Sequence, residues 1–204
     1  MFKKALTGEE NYFTPFTRIG LGWVYANQHK HQEALRYFEK VLESDPNHIM
    51  ALLGYGNSHN WLGDYEKAAA SFKQVLKMDP DNEYALAELG TVYFNQGKSD
   101  LSEELLRESL SVNDSSYSCP YEGLGLLYLQ MGDVDRARTN FQKAIQISPN
   151  IEFEKYIGLA KIYMTQKNYS RAEKVLQKAL INNPHSTEAR QLIDRLKEQK
   201  EHDL

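Results

Sequence analysis

Three groups of residues in this 204-residue chain have types and spacings suited to chemistry. His29 and His31 stand two apart, and an H-x-H pair can present two imidazoles to one metal ion. No cysteine or carboxylate is placed to complete such a site, so these histidines read as a solvated turn and no metal is expected. Cys119 precedes Pro120, and a helix N-terminus there would favour its thiolate. Without an assignable base or oxyanion donor it reads as a small buried residue and not as a nucleophile. As the single cysteine it also excludes an intramolecular disulfide and a multi-cysteine metal knuckle. The glycine pairs in "GLG" (20–22), "GYG" (54–56) and "GLG" (123–125) superficially suggest a nucleotide loop. A dinucleotide fingerprint needs a preceding strand and a third glycine, and these pairs sit in helical stretches without one. Neither catalysis nor a cofactor is expected.

Composition narrows the partners. The chain is 41% hydrophobic and 25% charged, with net charge −4, which is the make-up of a folded protein. Its mild acidity, with no basic block, disfavours phosphate-driven binding of nucleic acid. No apolar run reaches the length of a membrane span. The opening "MFKKALTGEENYFT" lacks the apolar centre of a secretory leader, so a cytoplasmic protein is the expectation.

The elements that carry these residues repeat. Gly22, Gly56, Gly90, Gly125 and Ala160 follow one another at intervals of 34, 34, 35 and 35. Twelve places after each stands a small residue: Ala34, Ala68, Ser102, Ala137, Ala172. Four further on stands a large apolar one: Phe38, Phe72, Leu106, Phe141, Leu176. The pattern resembles the tetratricopeptide repeat, a helix–turn–helix unit of about 34 residues. Its first-helix signature is Arg18–Leu21–Gly22–Tyr25, then Leu52–Tyr55–Gly56–His59, Leu86–Leu89–Gly90–Tyr93, Tyr121–Leu124–Gly125–Tyr128 and Tyr156–Leu159–Ala160–Tyr163. Arg18, His59 and Asp114 depart from it, and Tyr117 and Glu152 are single insertions between repeats. The resemblance implies an all-α fold, a right-handed α-solenoid with five repeats over 15–48, 49–82, 83–116, 118–151 and 153–186. The expected spacer role of the second glycine is to let the two helices of a unit approach.

The ends read differently. Residues 1–14 form an N-terminal segment in which "FKKAL" (2–6) matches "FQKAI" (141–145) and "LQKAL" (176–180), hence a partial helix. Residues 187–204 are read as a capping helix and tail, with Ser186 as N-cap and Leu192, Ile193 and Leu196 on one face. Such a helix closes the apolar end of a solenoid.

Within each repeat, positions 2, 5, 9, 12 and 13 of the first helix share a face. The resemblance implies that this face lines a concave surface where a polypeptide binds. Only three of these 25 residues are charged, and none in the first three repeats. The chain's average charge content would give about six, and exposed positions are normally richer still. Aromatic anchors and amides suit a peptide. The candidate partner-binding residues are Phe16, Trp23, Asn27, Asn57, Asn60, Trp61, Tyr84, Phe94, Asn95, Leu126 and Gln130, with the two tryptophans foremost. About half the apolar residues on this face are assigned to packing between repeats. Position 6 holds Gly20, Gly54, Gly123 and Gly158, with Glu88 the exception. Close approach of a ligand backbone and tight crossing of helices both fit, the second being preferred. Chaperone-type repeat proteins of the resembled family clamp a terminal carboxylate with Lys, Asn and Arg. Here Asn57 is present, but no Lys or Arg stands at the matching positions of repeats one to three.

The expectation is a non-catalytic scaffold or adaptor that holds an extended or helical polypeptide segment. Two alternatives stand beside it: a structural scaffold self-associating through residues 2–6, and the recruiting module of a larger enzyme.

Overall fold

The computed structural model of the chain describes residues 14–113, 117–149 and 154–202. The partial helix expected at residues 2–6, Asp114 and Glu152 lie outside them. Among the described residues there are eleven helices and no strand. The fold class is all-α, of the repeat-solenoid kind.

The chain divides into two compact units, Met1–Ala85 and Leu86–Leu204. In the first, α1 (Pro15–Asn27) pairs with α2 (His31–Leu42), and α3 (Ile49–Trp61) with α4 (Tyr65–Met78). α5 (Glu83–Asn95) begins in the first unit and runs into the second. There follow α6 (Ser99–Val112), α7 (Cys119–Gln130), α8 (Val134–Ile147), α9 (Glu154–Thr165), α10 (Tyr169–Asn182) and α11 (Thr187–His202).

Two devices recur at the bend inside a repeat. The residue at position 15 adopts positive φ in every repeat: His29 (58°), Gly63 (81°), Gly97 (72°), Gly132 (79°) and Lys167 (54°). This left-handed residue stops the first helix and reverses the chain, which glycine does without a Cβ clash. In three repeats the next residue caps the second helix. Asp64, Asp133 and Asn168 accept from the backbone N–H groups of Lys67, Arg136 and Arg171, which satisfies donors that the first turn leaves open.

The large apolar residues of the second helices are fully buried. In the first unit Phe38 packs with Ile19, Ala26, Ala34, Val41 and Ala51. Phe38 also explains the glycine pair. Its ring lies against Gly22 of its own repeat and Gly54 of the next, so a methyl group on either would overlap it. Leu106 sits likewise between Gly90 and Gly123, and Phe141 between Gly125 and Gly158. The spacer role therefore differs from the expectation in one respect: the glycines mainly make room for an inserted side chain. At Gly54, Gly123 and Gly158 that side chain fills the space a ligand backbone would need.

In the second unit Ala189, Leu192 and Leu196 of α11 close one end of the core. The Ser186 hydroxyl accepts from the Ala189 N–H at 3.2 Å, which caps that helix.

Candidate functional site

The first unit carries a hollow of about 420 Å³ lined by Trp23, Met50, Leu53, Asp79, Asp81, Asn82, Glu83 and Tyr84. Three elements and one turn build it. Trp23 comes from the middle of α1, Met50 and Leu53 from the first turns of α3, and Tyr84 from the start of α5. The indole meets Phe38 edge-on at 5.7 Å between ring centroids, and Tyr84 edge-on at 6.5 Å. Both arrangements suit the ring quadrupoles. Phe38, seated by its two glycines, thus sets the Trp23 ring from behind. The indole Nε1 is buried and has no hydrogen-bond partner among the described residues.

The rim is held by Asn82. Its N–H donates to the Asp79 carbonyl at 3.2 Å, and its amide nitrogen to the Asp79 carboxylate at 2.9 Å. Its amide oxygen accepts from the Ala85 N–H at 2.9 Å, capping α5. This turn carries three carboxylates, Asp79, Asp81 and Glu83, to the edge of an aromatic and aliphatic floor. Among the described residues that line it, none carries a cationic side chain. The sequence reading missed the rim, because its candidate residues came only from one face of the first helices, and "MDPDNE" (78–83) lies where one repeat meets the next. The signal was available in the three acids spaced two apart.

Of the eleven candidate residues, the hollow brings together Trp23 and Tyr84. Phe16 stands 86% exposed in the first turn of α1, and Asn27 is exposed at its end. Asn57 and Asn60 are half-buried on α3 and already engaged. Trp61 lies apart from the hollow. Its ring stacks on His31 at 5.4 Å with 7° between the planes, and meets His29 edge-on. In the second unit Phe94 and Leu126 are partly buried against the core, while Asn95 and Gln130 are exposed at helix ends.

Of the turn histidines expected to be solvated, His29 is exposed and His31 is not. His31 is buried under Trp61, and burial lowers its pKa, with His29 adding to the effect. Among the described residues no group of three or more His, Cys, Asp or Glu is placed to hold a metal ion. Cys119 is half-buried, with Sγ 3.7 Å from the Glu88 carboxylate, which also accepts from the Tyr117 hydroxyl at 2.9 Å. The position-6 exception and the inserted tyrosine are thus partners.

A second hollow, of about 430 Å³, lies in the second unit and includes Arg107, Tyr128 and Arg136. Its cations are occupied. The Tyr128 hydroxyl donates to Glu103 at 2.6 Å and accepts from Arg107 at 2.8 Å. Arg136 lies over the Tyr128 ring and pairs with Asp133 at 2.6 Å. That hydroxyl, then Arg107, keeps the Glu103 carboxyl below its usual range.

A family described as the tetratricopeptide repeat protein 21 C-terminal ARM domain matches residues 18–191. FK506-binding protein-like from Mus musculus is 45% identical over 69 residues, 34% of this chain and 20% of that protein. The chain thus spans about a fifth of that relative's length. In fold, the chain is similar to TTC0263, a thermophilic TPR protein of Thermus thermophilus. The TM-score is 0.79 at 20% identity, covering 90% of this chain and 98% of that one. It is also similar to YrrB, described as a TPR protein with an unusual peptide-binding site. There the TM-score is 0.55 at 22% identity, covering 95% and 97%. Among the described residues no helix is long and apolar enough to cross a membrane.

Proposed function

Because the chain belongs to the tetratricopeptide repeat family of that ARM domain, we propose that it is a non-catalytic interaction scaffold whose Trp23 hollow seats a polypeptide segment. The observation that carries this reading is the pairing of a half-buried indole with a one-sided acidic rim. An apolar side chain of the partner packs on Trp23, Met50, Leu53 and Tyr84. Lysine or arginine beside it meets Asp79, Asp81 and Glu83. The volume falls in the range of ligand pockets, roughly 300–1,000 Å³, and tryptophan and tyrosine are the residues that most often anchor interfaces. The peptide-binding description of YrrB supports this reading by likeness of fold.

Selection from a random-peptide display library tests it. The expected enrichment is for an aliphatic or aromatic residue flanked by Lys or Arg, lost when the bait carries Trp23→Ala. Enrichment that survives Trp23→Ala, or no enrichment, overturns the assignment.

A further inference from the structure

The polypeptide seat proposed at Trp23, on which this step rests, has features that specify one side chain of its occupant. Trp23 and Tyr84 both line the hollow, with 87° between their ring planes and 6.5 Å between centroids. The two rings thus form a right-angled corner, which Phe38 holds in place from behind the indole. Met50 and Leu53 extend the same floor with a thioether and an aliphatic side chain. Asp79, Asp81 and Glu83 bring three negative charges to the rim, and no described lining residue offsets them.

Rim and floor ask for different things of a ligand. The carboxylates attract a cation, whereas an aromatic and aliphatic floor gives an ammonium little to replace its water. A primary ammonium is compact and strongly hydrated, so it is held at the rim. A guanidinium is planar and stacks on one ring face, and a right-angled corner offers it the second ring only at its edge. A trimethylammonium has no N–H to satisfy. It is round, carries its charge on methyl groups, and is drawn to the faces of both rings. We propose that the hollow seats an Nε-trimethylated lysine of the partner polypeptide, its head in the Trp23–Tyr84 corner and its stem along Met50 and Leu53. One residue thereby supplies both the apolar surface and the positive charge that the hollow matches. The carboxylates act on that head through space and need no hydrogen bond to it. The hollow, about 420 Å³, is larger than the head alone and takes stem and adjoining backbone as well.

An array of peptides with varied flanks around one central residue, probed with the full chain, tests this. The central residue is lysine, trimethyllysine, arginine, or the uncharged tert-butyl isostere of trimethyllysine. Trimethyllysine peptides should bind roughly tenfold tighter than their lysine counterparts. The isostere should lose most of that gain, because it keeps the shape and removes the charge; this comparison needs no protein variant. Tyr84→Ala should abolish the preference and Tyr84→Phe should keep it, since the ring face and not the hydroxyl meets the head. Trp23-dependent binding in which lysine, arginine or the isostere equals trimethyllysine overturns this assignment and leaves the polypeptide seat standing. Absence of any binding that Trp23→Ala weakens overturns the seat, and this assignment with it.

Discussion

The Phe38 ring rests directly on the backbone of Gly54, one repeat further along, in a space that no side chain at residue 54 could share. Phe141 stands in the same relation to Gly158. Alanine is the better helix former by about 1 kcal/mol, yet Gly54→Ala and Gly158→Ala should each destabilise the protein. Overpacking of this kind costs about 1–3 kcal/mol, because a fully buried ring has nowhere to go. A lower urea midpoint with an unchanged m-value is expected, and a raised midpoint would show that the ring yields freely.

Lys167 holds a left-handed backbone, φ 54°, where three other repeats use glycine. That conformation costs a residue with a Cβ about 1–2 kcal/mol, and glycine returns part of the gain through its freer unfolded chain. Lys167→Gly should therefore stabilise by about 0.5–1 kcal/mol, seen as a Tm rise of roughly 2 °C. A fall in Tm would mean that the Lys167 side chain contributes more than its backbone costs.

His31 and His59 set the response to mild acid. Burial is the leading cause that holds both below the free imidazole value of 6.5. Asp64, 3.4 Å from His59 Nδ1, opposes the shift without cancelling it. The unfolded chain binds protons at these residues before the folded one does. Stability is thus full above pH 6.5 and declines as pH falls through the folded values. Glu103 and Glu173, held below 4.5, titrate at lower pH and do not enter this window. The urea midpoint should drop between pH about 7.5 and 5.5, and the drop should shrink in His31→Gln/His59→Gln. An equal drop in that variant would place the titration elsewhere.

The acidic rim should make binding salt-dependent. Asp81→Asn with Glu83→Gln should weaken a Lys-flanked peptide selected on the hollow several-fold at low ionic strength, mainly through its association rate. The difference should narrow at high salt. A salt-independent loss would assign the two side chains to the shape of the turn.

Helical class and period were legible because they follow from recurring residue types: small at position 20, large at position 24, glycine at position 8. What the position-6 glycines do was not legible. Gly54 answers to Phe38, which stands in another repeat, and no pattern within one helix shows that. Trp61 shared a helical face with other candidate residues, yet its ring folds onto His31, a choice made by side-chain packing. The rim at Asp79–Glu83 was hidden for a related reason. Face assignment on first helices ignores the turns between repeats, and a turn brings the charge to this site. The left-handed position 15 could have been read from Gly63, Gly97 and Gly132, spaced 34 and 35 apart.

Calorimetric titration of a peptide selected on the wild-type protein into wild type, Trp23→Ala and Trp61→Ala tests the central claim. Loss of a buried aromatic anchor should weaken binding to Trp23→Ala by about tenfold or more, while Trp61→Ala stays near the wild-type affinity. Equal affinity for wild type and Trp23→Ala would contradict the account.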